Sequence, residues 1–131
     1  MIDVVTGLAC RNGMVLMALR LATATRPGMW EYPGGKVEDH EDPDQALIRE
    51  WREELGVRIA VLRSIDTPLV LQLEQTYRIY LMTVSISNEP SALASQEIRW
   101  VDPALVITDL PLVPSSYWFY PAVMRIIRGT K

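Results

Sequence analysis

The sequence predicts an α/β or α+β fold in which a mixed β-sheet packs against helices. Three observations lead to this prediction: short β-rich segments dominate the chain, one helix has both ends marked, and a second helical pattern lies near the C-terminus. The 131 residues are expected to form one domain over 1–131, because a chain of this length can bury a proper core.

Apolar segments alternate with turn-forming residues along much of the chain. Residues 4–9 and 14–19 flank Asn12-Gly13, a dipeptide typical of a tight β-hairpin. Pro33-Gly34-Gly35 predicts a break in the backbone, with unusual freedom at two consecutive glycines. The other predicted strands are 29–32, 57–64, 68–74, 76–86 and 97–101.

Residues 43–55 have the sequence of a helix whose two ends are both marked. Asp42 is a good N-cap, Pro43 suits the first helical position, and Gln45 completes a capping box. Gly56 follows the last helical residue and is a natural terminator.

The C-terminal stretch 115–127 is also predicted to be helical, although Pro121 disturbs its early part. Its aromatic run, Tyr117 to Tyr120, has two interpretations. We favour a contribution to the core over stacking of one ring on a nucleobase, because aromatic side chains bury large areas.

Composition and charge exclude several classes of protein. The net charge is −3. A protein that binds a nucleic-acid polymer is expected to have a basic surface, and this charge argues against one. No apolar run reaches the roughly 18–20 residues that span a bilayer, and Met1-Ile2-Asp3 lacks the basic start of a signal peptide. Cys10, the single cysteine, excludes an internal disulfide and favours a reducing compartment, so we expect a cytoplasmic protein. We also expect Cys10 to be a small buried hydrophobe.

The helix over 43–55 has an apolar side and an acidic side. Glu50, Glu53 and Glu54 lie at i, i+3 and i+4, where mutual repulsion and the helix dipole together cost on the order of 1–2 kcal/mol. A divalent cation would relieve this cost, and Mg²⁺ prefers carboxylate oxygens. A solvated acidic surface is the alternative, but the preceding glycines favour a site for a cation and a phosphate. The apolar stripe consists of Leu47, Ile48, Trp51 and Leu55.

Gly35, Glu41 and the run from Arg49 to Val57 resemble the Nudix box. Trp51 stands where that family usually has an aliphatic residue, so we expect altered packing there and intact chemistry. The flanking stretches 30–36 and 97–101 resemble MutT-like members of the family.

The resemblance implies a three-layer α/β/α sandwich around a mixed sheet. It also implies an enzyme that hydrolyses a nucleoside diphosphate linked to another group X, most commonly a (d)NTP or oxidised (d)NTP giving monophosphate and pyrophosphate. Nucleotide sugars and dinucleoside polyphosphates are alternative substrates, and a non-catalytic nucleotide-binding regulator is a further alternative. The expected partner is a small nucleotide, and we expect no nucleic-acid polymer and no membrane as partners. A homodimer is a further possibility.

The resemblance assigns roles to the acidic residues by position. Glu50, Glu53 and Glu54 would hold Mg²⁺, or Mn²⁺ in its place, with the Gly34 carbonyl as a further ligand. Arg49 would orient the glutamates through an ion pair. Glu53 is also a candidate for the general base that takes a proton from the attacking water.

Substrate contacts are implied at Arg20, Gly35 and Lys36. MutT-like enzymes bring a further glutamate from a late loop, and the matching position here is Ala94. Either Glu97 substitutes for that glutamate or the helix supplies the general base alone, and both alternatives stay open.

Overall fold

The computed structural model describes residues 1–72, 74–106 and 110–129 as a sheet with a helix on each side. Residue 73, near the end of the strand predicted over 68–74, lies outside the described residues. The helices are α1 (Pro43–Leu55) and α2 (Pro114–Gly129). The strands are β1 (Ile2–Arg11), β2 (Met14–Leu19), β3 (Trp30–Glu31), β4 (Gly34–Lys36), β5 (Ile59–Asp66), β6 (Leu69–Gln72), β7 (Gln75–Ile86) and β8 (Glu97–Val101).

The sheet is mixed because its two longest strands, β1 and β7, run parallel to each other. β4 pairs antiparallel with β1, while β5 and β6 pair antiparallel with β7. The far end of β1 turns into β2, which pairs antiparallel with both β3 and β8. The prediction of a mixed sheet is confirmed.

Successive side chains of the central strands enter two separate cores. Leu8 belongs to the core beneath α2, together with Phe119, whereas its neighbour Ala9 belongs to the core beneath α1, together with Leu47. The two helices therefore cover opposite faces of the sheet, which confirms the three-layer α/β/α sandwich.

The hairpin between β1 and β2 forms at the predicted dipeptide. Asn12 and Gly13 have φ angles of 53° and 76°, and Arg11 pairs with Met14. Two consecutive positive φ angles are typical of a type I′ turn, whose twist matches the strands that it joins.

The ends of α1 also form as predicted. The Asp42 carboxylate accepts a hydrogen bond from the Gln45 N–H at 2.8 Å, and the Gln45 side chain accepts one from the Asp42 N–H at 3.0 Å. Gly56 ends the helix in the left-handed conformation, with a φ of 63°. Both caps therefore satisfy backbone groups at the ends of the helix that carries the acidic residues.

The prediction of a backbone break at Gly34-Gly35 was wrong, since both residues belong to β4 and neither has a positive φ angle. Gly34 pairs with Thr6 and Gly35 with Val5. A Cβ atom on Gly34 would overlap the Val5 carbonyl group. Glycine is therefore required here for the close approach of the two strands, and not for conformational freedom.

Two apolar side chains are more exposed than the sequence predicts. Cys10 was expected to be buried, yet it is exposed, because a groove beside the C-terminal end of α2 leaves the outer end of β1 open. Ile48 is 38% exposed, so the buried side of α1 is narrower than predicted. The residues that α1 buries are Ala46, Leu47, Trp51 and Leu55.

The second predicted helix is confirmed, with α2 continuing through Pro121. In its aromatic run Phe119 is buried, whereas Tyr117 and Trp118 are 45% and 47% exposed. Part of the run therefore belongs to the core, as expected. Neither α1 nor α2, as far as the structure describes them, is long and apolar enough to cross a membrane.

The packing of α1 predicts the cost of truncating its buried side. Leu47 is completely buried, so Leu47→Ala should lower the free energy of unfolding by about 3 kcal/mol, through lost burial and a residual cavity. Ile48→Ala, on the exposed border of the same helix, should cost less than about 1 kcal/mol. Urea denaturation of both variants measures the difference, and equal losses would contradict this assignment of faces.

Candidate active site

The guanidinium group of Arg49 ties the loop before α1 to the acidic side of that helix. It donates to both carboxylate oxygens of Glu41, at 2.7 and 3.0 Å, and to the Lys36 carbonyl at 3.1 Å. It also donates to Glu50 at 2.9 Å and to Glu53 at 3.3 Å. Arg49 thus lies at the position expected of a residue that orients the glutamates by ion pairing.

The ion pair between Arg49 and Glu41 is well enough packed to shift the pKa of both groups. Their side chains are 16% and 15% exposed. Hydrogen bonds from Arg49, and then from the backbone of Glu38, lower the pKa of Glu41 to about 2. The Glu41 carboxylate raises the pKa of Arg49 in turn.

The glycines of β4 let the backbone approach the acidic side of α1. A Cβ atom on Gly35 would lie only 2.5 Å from the carboxylate carbon of Glu50. No other residue could occupy this position without displacing Glu50, because real side chains do not come so close. The glycine strand and the first glutamate of the acidic run are therefore in direct contact.

Glu54 is a partly buried acid surrounded by other acids. Burial is the largest cause that raises its pKa, to about 8, and the charges of Glu50, Glu31 and Glu53 add to it. A hydrogen bond between the Glu54 and Glu50 side chains has the same effect. Loss of the Glu54 proton would add a further negative charge to this cluster, so the site favours a proton or another positive charge there.

The structure adds one carboxylate that sequence reasoning missed. Glu31 lies in β3, and both of its oxygens accept from Arg20 Nη1 at 3.0 Å. Burial raises the pKa of Glu31 by more than Arg20 lowers it. The alternation of buried Trp30 and Tyr32 about Glu31 was the available signal, because it places Glu31 on the opposite side of the strand.

The late loop between β7 and β8 closes the C-terminal end of α1. The Ser91 and Leu93 N–H groups donate to the carbonyls of Leu55 and Glu54, at 2.8 and 3.0 Å. Ala94 follows directly and lines a pocket together with Glu31 and Glu54. The position where MutT-like enzymes have a glutamate is thus beside the acidic cluster but carries only a methyl group.

Glu97 lies away from the acidic cluster. Its neighbour Ile98 packs into the core beneath α1, so Glu97 points toward the other face of the sheet. Arg99 donates to Glu97 at 2.8 Å and lies 4.7 Å from the Trp30 ring centre. Strand alternation turns Glu97 away from the glutamate helix, and this geometry does not support the alternative in which Glu97 replaces the missing loop glutamate.

The expected substrate-contacting residues share one cleft with the acidic cluster. Arg20, Gly35 and Lys36 line a cavity of about 290 Å³ together with Glu54. Arg20 is held in place because it also donates to the Thr25 carbonyl at 2.6 Å. The cleft therefore has negative charge at its inner wall and a fixed guanidinium group beside it.

The outer part of the cleft is formed by aromatic and hydroxyl groups. Tyr77, Trp118 and Ser115 line it at the N-terminal end of α2. Phe119 and Ser116 of α2 line the middle section. An aromatic wall with hydroxyl groups suits a flat ring that also forms hydrogen bonds.

The oxygen donors of the acidic cluster fit a hard divalent cation. Glu50 and Glu54 share a hydrogen bond, while Glu53 is 57% exposed and accepts a hydrogen bond from Arg49. Within the part of the chain that the structure describes, no three acidic, thiol or imidazole side chains already enclose a metal position. Carboxylate oxygens are nonetheless the ligands that Mg²⁺ prefers, and all of them project from one helix.

A protein-family model described as the NUDIX domain matches residues 1–123. This chain belongs to the Nudix family. The match extends well beyond the box itself, from β1 into α2, and confirms the resemblance to the Nudix family.

Two relatives of this Nudix protein have names that state a reaction. A CTP pyrophosphohydrolase of Escherichia coli K12 is 49% identical over 61 residues, covering 47% of this chain and 45% of that protein. An 8-oxo-dGTP diphosphatase of Proteus vulgaris is 39% identical over 67 residues, covering 50% of this chain and 60% of that protein. The matched stretch spans about half the length of these two relatives.

A solved structure extends the likeness to the whole fold. The solution structure of the E. coli ORF135 protein has 31% sequence identity with this Nudix chain and a TM-score of 0.87. The match covers 100% of this chain and 93% of that one.

The ion pair between Arg49 and Glu41 predicts a stability difference that depends on pH. The pKa of Glu41 falls from 4.5 to about 2 on folding, so the ionised carboxylate stabilises the folded state above pH 4.5. This contribution is lost as the pH falls toward 2. Glu41→Gln should therefore be less stable than the wild type near pH 7, and the two should converge in acid.

Urea denaturation at a series of pH values measures this effect. Glu38→Gln is the matched control, because Glu38 is 68% exposed and lies 3.7 Å from Arg49. It should remain close to the wild type throughout. A difference between Glu41→Gln and the wild type that is the same at pH 7 and pH 3 would rule out the ion pair as its source.

Proposed function

We propose that this Nudix chain hydrolyses a phosphoanhydride bond of a (d)NTP or an oxidised (d)NTP, releasing a nucleoside monophosphate and pyrophosphate. The observation that supports this most directly is the partly buried Glu54 carboxyl group among Glu50, Glu53 and Glu31, beside a glycine strand and a cleft that Arg20 lines. Arg49 and Arg20 pair with three of these carboxylates but not with Glu54 in the described structure. A divalent cation bound with a polyphosphate would neutralise the negative charge that remains.

Nudix hydrolases generally need a divalent metal ion. In this chain Glu50, Glu53 and Glu54 are the carboxylates that would hold Mg²⁺ or Mn²⁺, with the Gly34 carbonyl as a further ligand. When bound, the metal would neutralise phosphate charge and lower the pKa of the attacking water. Arg49 would keep the glutamates oriented throughout the reaction.

The remaining steps belong to side chains of the cleft. Glu53 is the more exposed carboxylate of the acidic run, so it can accept a proton from water, and we assign it the role of general base. Arg20 and Lys36 would bind the phosphate chain, and Gly35 would allow that chain to approach the backbone. Glu31 would hold Arg20 in the orientation that this contact requires.

The outer cleft would receive the nucleobase. Stacking of the base on Trp118 or Tyr77 suits either a pyrimidine or a purine, since every base has a flat face. The names of the two relatives, one a CTP pyrophosphohydrolase and one an 8-oxo-dGTP diphosphatase, support both ring types as substrates. We further propose that residues 1–131 form a single domain and that the enzyme works in the cytoplasm, either as a monomer or as a homodimer.

A substrate screen tests the proposed reaction. CTP, dCTP, GTP, dGTP and 8-oxo-dGTP are incubated with the protein and Mg²⁺, and monophosphate and pyrophosphate are separated by ion-exchange chromatography. We expect equal amounts of the two products from at least one nucleotide. Release of inorganic phosphate with nucleoside diphosphate would place the cut at a different bond, and no turnover of any nucleotide would favour a binding protein.

Substitution of the acidic residues tests their chemical roles. Glu53→Gln and Glu54→Gln should each lower kcat by about 10²–10⁴-fold, because a neutral amide neither accepts a proton nor holds Mg²⁺ well. Thermal unfolding should stay close to the wild type in both variants. Asp44→Asn, an equivalent change in the exposed first turn of α1, is the control, and a comparable loss in that variant would refute the assignment.

The role of Glu31 predicts a separate kinetic pattern. Glu31→Gln can still accept a hydrogen bond from Arg20 but loses the ion pair, so we expect a rise in KM of about tenfold with a smaller change in kcat. Steady-state kinetics at saturating Mg²⁺ separate the two parameters. A fall in kcat as large as that of Glu53→Gln would transfer the role of general base to Glu31.

A further inference from the structure

Trp51 occupies the position of the Nudix box at which this chain departs from the usual aliphatic residue. Its indole is completely buried in the core beneath α1. Glu50 lies on the acidic side of the helix and Arg52 is exposed, whereas Trp51 points toward the sheet. The larger side chain of Trp51 therefore contacts the sheet beneath α1.

The indole N–H of Trp51 forms a buried hydrogen bond that an aliphatic residue cannot form. It donates to the Pro33 carbonyl at 2.9 Å. The Gly7 N–H donates to the same carbonyl, also at 2.9 Å. The last carbonyl group before β4 is thus held by one donor from the sheet and one from the glutamate helix.

Gly7 is matched to this tryptophan. A Cβ atom on Gly7 would lie 2.6 Å from the Trp51 ring carbon Cζ2. Any other residue at position 7 would push the indole away from β1, and the indole N–H would leave the Pro33 carbonyl. The glycine and the tryptophan are therefore two parts of one arrangement.

We propose that Trp51 is a positioning residue that sets the orientation of the glycine strand relative to the acidic side of α1, an inference that rests on the proposed function. The Pro33 carbonyl shares its peptide plane with the Gly34 N–H, so the two hydrogen bonds hold that plane. Pairing with Thr6 holds the rest of Gly34 in β4, and the two restraints together limit the direction of the Gly34 carbonyl. Gly35 contacts Glu50 on the other side. The helix that bears the carboxylates therefore also holds the backbone oxygen that completes their donor set.

The proposal predicts weaker metal binding when the N–H group alone is removed. Trp51→Phe keeps an aromatic ring in the core but donates no hydrogen bond, and such supporting contacts typically change metal affinity by about tenfold or more. Mn²⁺ binding to the free protein, followed by electron paramagnetic resonance, should show a dissociation constant about tenfold higher than in the wild type. The titrations are made well below the unfolding temperature of each variant.

Trp100→Phe is the matched control for this experiment. Trp100 packs against the same core as Trp51, but its partner in the described structure is the Arg11 guanidinium, 4.1 Å from its ring centre. Trp100→Phe should bind Mn²⁺ with the affinity of the wild type, even if the substitution lowers the unfolding temperature. Wild-type affinity in Trp51→Phe, or an equal loss in both variants, would overturn the positioning role.

A spectroscopic measurement on the wild type covers the case in which Trp51→Phe does not fold. In ¹⁵N–¹H spectra, addition of Mg²⁺ should shift the Trp51 indole resonance together with the Gly34 and Gly35 amides, because one hydrogen bond links them. An indole resonance that stays fixed while those amides move would refute the proposal. Absence of any Mg²⁺ or Mn²⁺ binding by the wild type would instead refute the proposed function.

Discussion

The accumulation of negative charge at the C-terminal end of α1 is the constraint on which the rest of the structure depends. Three glutamates share this end with the negative pole of the helix dipole. Arg49 neutralises part of the charge, but its guanidinium is fully engaged with Glu41, Glu50, Glu53 and the Lys36 carbonyl. Glu54 receives no bond from Arg49 in the described structure and has a raised pKa. The fold therefore places a site that favours positive charge at Glu54.

Close backbone contact is the means by which the fold keeps this charge in position. β4 can approach both β1 and Glu50 because Gly34 and Gly35 have no Cβ atoms. Gly7 makes room for the Trp51 indole in the same way. These contacts replace side-chain volume with backbone, whose hydrogen-bonding groups are rigid and always present. A site built in this way depends on packing of the core beneath α1, so its geometry and the stability of that core are linked.

Local sequence signals made most of the fold predictable. Features that depend on contacts between distant segments could not be predicted in this way. The capping residues of α1 and the Asn12-Gly13 turn depend on neighbouring residues, and both formed as predicted. β4 escaped prediction because its glycines act through contacts with β1 and α1 that the local sequence does not encode. Glu31 escaped for a related reason: a two-residue strand gives a weak alternation signal, and its distance from Glu54 depends on how the sheet folds.

Ala94 stands where MutT-like enzymes have a loop glutamate, so among the residues that line this pocket the acid opposite Glu54 of α1 is Glu31 of β3. The late loop here uses its backbone to cap the helix through Ser91 and Leu93, and Ala94 adds no charge. Glu31 instead projects from a strand whose neighbours Trp30 and Tyr32 are buried. A carboxylate on such a strand is held by the core, whereas one on a loop moves with the loop. We infer that the acid facing Glu54 in this chain is positioned before substrate arrives, with Arg20 as its counter-ion, and does not depend on loop closure.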